Sequence, residues 1–131
     1  MLFRSGVIQS SETPLIVVKG DRDFLLDASI VEGSNDDWLL TFSALDKNGN
    51  DLPLKPVMGA FAHLVAFEPN TAGFAHLHPL EYEPPKSKED SRMGPLSFSF
   101  KSPAPGNYRL WAQIKVGQDE EETFLPFDLK I

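Results

Sequence analysis

Short apolar stretches separated by turn residues constrain this chain more than any other feature, and nothing in it resembles a long amphipathic helix. Asn48-Gly49 marks one turn, within residues 46–50, and a segment rich in proline and glycine marks another, at residues 103–107. The pattern predicts strands over residues 15–19, 23–30, 38–45, 60–67, 74–80, 96–101, 108–116 and 124–131. Short strands at this spacing predict an all-β fold, an antiparallel two-sheet sandwich.

The length and composition predict one domain, residues 1–131, with its own core. The chain has 131 residues, of which 41% are hydrophobic, so a core can form without cross-links. It has no cysteine, which excludes disulfides, thiolate nucleophiles and cysteine-ligated metal sites. The net charge of −7 argues against nucleic acid and anionic membranes as partners. The apolar runs are too short for membrane insertion.

All three histidines of the chain, His63, His76 and His78, fall on one predicted hairpin. Side chains alternate between the two faces of a strand, so His76 and His78 point the same way. If Phe67 pairs with Phe74, then Val65 faces His76 and His63 faces His78. All three imidazoles then lie on one patch, whereas a slip of one residue separates them.

Three neutral imidazoles that converge are a suitable ligand set for zinc, copper or nickel. The alternative is that they are half-buried framework residues bonded to the backbone. Met58 is the preferred extra ligand, because a thioether favours copper and Cu(I) above all. Met93, Glu81 and Glu83 are further candidates. A carboxylate ligand would favour zinc, iron or manganese, and a methionine that fills a gap in the core needs no metal.

Several stretches resemble a poorly characterised family of exported bacterial β-sandwich domains with a cupredoxin- or immunoglobulin-like fold. The specific ones are Gly-x-x-x-His, here Gly59 to His63, and His-x-His-Pro, here His76 to Pro79. Residues 94–98 and 103–110 match the strand and turn that follow in that family. The resemblance covers residues 38–131. Many relatives carry further histidines on their last two strands, whereas residues 113–118 contain none.

The resemblance implies metal binding, copper first and zinc second, in a periplasmic or secreted protein. Residues 1–10 lack the apolar segment of a signal peptide, so either the protein is intracellular or this start is not the native one. The resemblance implies the second, because the relatives are normally exported. We predict a non-enzymatic metal-binding domain that uses His63, His76, His78 and Met58, since no general base accompanies the histidines. Its protein partner is unknown from the sequence.

Two alternatives compete with this interpretation. A structural or protein-interaction sandwich without metal would use the histidines as framework. A cupin-type metalloenzyme fits His76, His78 and Glu83, but a cupin needs a later histidine and this chain has none. Residues 46–57 lack the EF-hand glycine and glutamate, so we interpret their start as a β-turn. No motif of a serine hydrolase is present.

Overall fold

Ten strands form the framework of the part of the chain that the computed structural model describes, residues 14–68, 73–80 and 83–131. Of Gly73 and Phe74, only the backbone is described. The strands are β1 (Leu15–Lys19), β2 (Arg22–Ile30), β3 (Asp37–Leu45), β4 (Pro53–Lys55), β5 (His63–Glu68), β6 (Gly73–Leu77), β7 (Arg92–Met93), β8 (Leu96–Lys101), β9 (Asn107–Val116) and β10 (Thr123–Lys130).

The strands form two antiparallel sheets. The four-stranded sheet has the order β1-β2-β3-β8, and the six-stranded sheet has the order β6-β5-β9-β4-β7, with β10 also paired to β9. Every pairing between named strands is antiparallel. The predicted all-β, two-sheet sandwich is therefore confirmed.

The core lies between the sheets and follows directly from the alternation in the sequence. On β3, four alternate side chains are buried, from Trp38 to Ala44, and the residues between them face outward. Phe42 stacks on Phe24 of its own sheet, with ring centroids 6.4 Å apart, and meets the edge of Phe127 of the other sheet at 6.2 Å. Each buried phenylalanine stabilises the fold by about 1.5–3 kcal/mol.

An ion pair joins the sheets at the turn between β9 and β10. Nη1 and Nη2 of Arg22 on β2 donate to the carboxylate of Asp119, at 2.7 and 3.2 Å. These hydrogen bonds lower the pKa of Asp119. The acidic residues 119–122 lie between the last two strands, and Asp119 connects this turn to the opposite sheet.

The sequence did not predict β4 and β7, which have 3 and 2 residues. Neither is long enough to show a clear alternation. β7 lies between the predicted strands of residues 74–80 and 96–101, where no strand was predicted. Across residues 14–68, 73–80 and 83–131, the structure has no helix that could cross a membrane.

Candidate metal centre

The histidine hairpin has the predicted register. β5 and β6 pair antiparallel, with Phe67 opposite Phe74 and Val65 opposite His76. The turn predicted between these strands lies largely in residues 69–72, outside the described residues. The register determines which side chains share a face, so it brings His63 and His76 to the same side of the sheet.

That side is the outer face of the six-stranded sheet. Leu64 and Ala66 on β5 are fully buried in the core. Side chains alternate along a strand, so His63, Val65 and Phe67 point to the opposite face. On β9, the partner of His63 is Gln113. The histidines therefore lie on an outer surface, not between the sheets.

His78 lies one residue beyond the end of β6, which corrects the predicted strand of residues 74–80. The β5–β6 ladder ends where Leu64 pairs with Leu77. Pro79 has no N–H with which to continue a ladder. The chain instead crosses towards the other sheet, where the Leu80 N–H donates to the Ser97 carbonyl of β8 at 2.7 Å. This bond anchors the segment that carries His78.

The three imidazoles are brought together as predicted. Ring centroids lie 5.0 Å apart for His63 and His76, 5.1 Å for His63 and His78, and 4.7 Å for His76 and His78. One ring nitrogen from each can be chosen so that all three lie within 4.8 Å of one another. His63 is 2% exposed, whereas His76 and His78 are exposed.

Both ring nitrogens of His63 have close partners. Its Nε2 lies 2.6 Å from the carbonyl oxygen of Val57, and its Nδ1 lies 3.0 Å from Nε2 of His76. A buried imidazole whose two nitrogens are both engaged is held in one orientation. The other two imidazoles are exposed, so the site combines one fixed histidine with two accessible ones.

The Val57 carbonyl is the site group that the sequence interpretation missed. Val57 and Ala60 form a β-bridge, and Met58 and Gly59 between them have φ of 48° and 84°. Consecutive positive φ values are typical of a tight type I′ turn. Gly59 is the signal that could have revealed the turn. No sequence pattern shows that its first carbonyl accepts a hydrogen bond from a histidine six residues later.

The electrostatics of the site favour a neutral imidazole at His76. Desolvation lowers the pKa of His76 below its ordinary 6.5, and repulsion from His63 and then His78 lowers it further. The neutral form has a free lone pair at neutral pH, which a metal ion requires.

The residues present fit a transition-metal ion. Tetrahedral zinc binds imidazole at about 2.0–2.1 Å, so its ligand atoms lie roughly 3.3 Å apart. One pair in the site is already 3.0 Å apart, and no pair in the group exceeds 4.8 Å. Rotation of the two exposed rings would bring the more distant ligand atoms to the spacing that zinc requires. Among the described residues, no carboxylate joins this group, which leaves positions for other ligands.

Comparison with known proteins identifies the family. Residues 17–131 match a family model described as Domain of unknown function (DUF8832). The chain belongs to this family. No curated protein matches it.

A copper-bound variant of FetP from uropathogenic Escherichia coli strain F11 has a similar structure. Its TM-score to this DUF8832 domain is 0.55, at 10% sequence identity, and the match covers 92% of this chain and 97% of that chain. At this identity the similarity establishes a shared all-β fold.

The other predicted ligands lie at different places relative to the β5–β6 hairpin of this DUF8832 domain. Met58 is at the tip of the turn before β5 and is 70% exposed, and Met93 is exposed on β7. Glu83 lines a cavity of about 160 Å³ with Phe61 and Arg92, apart from the histidine group. Glu81 lies outside the described residues. A metal ligand role for Met58 stays a prediction.

The position of the histidines on an outer face disfavours the cupin interpretation. Cupins hold their metal inside the barrel formed by their sheets. Here the space between the sheets is filled by the core, and the imidazoles lie on the other side of the six-stranded sheet.

Proposed function

We propose that this domain binds a transition-metal ion, copper in preference to zinc, through His63, His76 and His78. The observation that carries this proposal is the approach of three imidazole nitrogens to within 4.8 Å of one another. A random surface would not gather every histidine of the chain on one patch. The site has one buried anchor and two exposed ligands, so an ion could enter from the solvent side without opening the core.

Copper is preferred for two reasons. Imidazole suits copper, zinc and nickel alike, and copper lies at the top of the affinity order for divalent first-row metals. The FetP variant with the similar fold is copper-bound. Met58 is proposed as a further ligand, because a thioether selects Cu(I) over Zn(II). Its exposed side chain extends from the same turn that contacts His63.

The proposed role is binding rather than catalysis, in a protein exported from the cytoplasm. The support for binding is that the group is made of imidazoles alone, with no carboxylate of the described residues among its members. Export is proposed from the sequence resemblance. Cell fractionation of the native protein tests it directly.

Metal titration of the purified domain tests the proposed function. We expect Cu(I), Cu(II) and Zn(II) to bind with micromolar or tighter dissociation constants. The double variant His76→Ala, His78→Ala should lose this binding. Gln113→Ala is the matched control, because it shortens a polar side chain beside His63 on the same face without removing a nitrogen ligand. Native binding no tighter than millimolar, or unchanged binding in the double variant, would refute the proposal.

A protein-interaction module without metal is the second candidate. The observation that favours it is the exposure of two phenylalanines on the outer face of the six-stranded sheet, Phe67 at 39% and Phe124 at 52%. Such side chains are enriched at interfaces. The same titration separates the two candidates, because a module of this kind would bind no ion at the histidines.

A further inference from the structure

We infer that the turn of residues 57–60, here called the site turn, fixes the tautomer of His63 so that Nδ1 is its metal-binding atom. This inference rests on the proposed function and adds the coordination mode and the element that controls it. Val57 thus becomes a positioning residue through its backbone carbonyl, and Gly59 through the turn conformation that it permits.

The tautomer follows from the hydrogen bonds. The Val57 carbonyl can only accept, so the nitrogen 2.6 Å from it, His63 Nε2, must carry a hydrogen. In a neutral imidazole, Nδ1 then has the lone pair. Nδ1 lies 3.0 Å from His76 Nε2, so in the metal-free site His76 donates its Nε2–H to it. The lone pair that accepts this hydrogen bond is directed towards the other imidazoles, where an ion would lie.

The location of the carbonyl depends on the backbone of the site turn. The N–H of Val57 donates to the Ala60 carbonyl at 2.7 Å, and the N–H of Ala60 donates back to the Val57 carbonyl at 3.2 Å. This reciprocal pair of hydrogen bonds is possible because Met58 and Gly59 both have positive φ. A β-branched side chain at position 59 would strain this conformation, and the carbonyl would move.

The arrangement makes His63 a preorganised ligand. It is 2% exposed and bonded at both nitrogens, so it loses little freedom when an ion binds. When an ion binds, this hydrogen bond from His76 is lost, and the hydrogen of the exposed His76 moves from Nε2 to Nδ1 by exchange with solvent, so that Nε2 gains the lone pair that the ion needs. Carbonyl groups that orient a metal-ligating histidine contribute strongly to affinity in other metal sites.

Two glycines allow a matched test. Gly59 has φ of +84° and Gly49, in the distant turn after β3, has φ of +83°, and an added Cβ would meet nothing within 4 Å at either position. Gly59→Val and Gly49→Val should therefore strain the backbone equally. Gly59→Asn is the conservative variant, because asparagine tolerates positive φ.

The experiment measures Zn(II) affinity by competition with a chelator and the protonation of each imidazole nitrogen by long-range ¹H–¹⁵N NMR, with and without Zn(II). We expect His63 to carry hydrogen on Nε2 in both states and to bind zinc through Nδ1. Gly59→Val should lose about 10–100-fold in affinity and show a mixed His63 tautomer. Gly49→Val and Gly59→Asn should leave both properties close to native.

Two results would overturn the inference: zinc bound to Nε2 of His63, or equal affinities for Gly59→Val and Gly49→Val. If Gly59→Val does not fold, the NMR spectra of the native protein still identify the coordinating atom. Native protein that binds neither zinc nor copper refutes the proposed function. In that case, the tautomer of His63 in the metal-free spectrum still shows whether Val57 holds the ring.

Discussion

The site turn and the turn of residues 46–50, here called the remote turn, share a left-handed glycine but differ in the hydrogen bonds that they make. Each has a glycine with φ near +84°, Gly59 and Gly49. In the remote turn, the Asp46 carboxylate accepts hydrogen bonds from the N–H groups of Asn48 and Asn50, so the turn satisfies itself. In the site turn, the Val57 carbonyl also accepts a hydrogen bond from His63.

This difference shows how a backbone carbonyl can orient a histidine although the turn that provides it has no polar side chain. The remote turn has the polar residues that turns favour, and its bonds are local. In the site turn, Met58 adopts a left-handed conformation, which costs most residues roughly 1–2 kcal/mol. Asparagine or glycine would adopt it with less conformational strain. Strain of this kind is concentrated at functional sites. The predictions below separate the two turns.

The largest expected effect is on metal affinity. His63→Ala removes both a ligand and the partner of the Val57 carbonyl, so Zn(II) affinity should fall by about 100-fold or more. Asp46→Ala disrupts the remote turn and should leave the affinity within about 2-fold of native, as measured by competition titration. A comparable loss in both variants would mean that binding depends on overall stability and not on the histidine group.

The next effect is on stability. Gly59→Ala and Gly49→Ala should each lower the free energy of unfolding by about 1–2 kcal/mol, because both place alanine at positive φ. Urea denaturation of the metal-free proteins measures it. Excess Zn(II) should stabilise the native domain and Gly49→Ala by the same amount and Gly59→Ala by less. Equal stabilisation of all three would argue that the site turn does not act on the metal.

Met58 gives a smaller effect in the opposite direction. Met58→Asn should raise the free energy of unfolding by up to about 1 kcal/mol, because asparagine tolerates positive φ better than methionine. If Met58 is a ligand, Cu(I) affinity should fall while Zn(II) affinity is retained. Met93→Leu is the control, since it removes the other exposed thioether of residues 14–68, 73–80 and 83–131. Unchanged Cu(I) affinity in Met58→Asn would remove Met58 from the ligand set.

The smallest effects concern the pH dependence of stability in the metal-free protein. Desolvation and two neighbouring imidazoles depress the pKa of His76 below 6.5. The unfolded chain therefore binds more protons in this range, and stability should fall as the pH drops from about 6.5 through the folded pKa. His76→Gln should flatten this part of a plot of unfolding midpoint against pH.

The remote turn should respond at lower pH. Backbone hydrogen bonds, first from Asn50, depress the pKa of Asp46 below 3.8. Its contribution is thus present above about pH 3.8 and is lost as the pH falls through the folded pKa. Asp46→Asn should change only this acidic part of the plot. Interchanged windows for the two variants would contradict this assignment.

The sequence was sufficient for much of the fold and part of the site. Alternation located all the long strands, and the pairing of Phe67 with Phe74 correctly placed His76 opposite Val65. A side-chain period of two carries this information, because one register alone buries the apolar side chains.

The remainder depends on groups that a sequence pattern does not display. The sequence placed His78 on a strand, although Pro79 could have indicated its end. Short strands such as β4 carry no period, and their pairing depends on long-range contacts with β9. Every residue type has the same backbone carbonyl, so the role of the Val57 carbonyl is visible only in the folded backbone.

The row of cross-strand neighbours that contains His76 also includes an aromatic chromophore. Trp111 pairs with Val65, which pairs with His76, so the indole lies two strand spacings away, about 10 Å. Trp38, the other tryptophan, is buried in the core. A paramagnetic ion such as Cu(II) bound at the histidines would quench the fluorescence of Trp111, whereas diamagnetic Zn(II) would not. The domain thus contains its own optical reporter of which ion has bound.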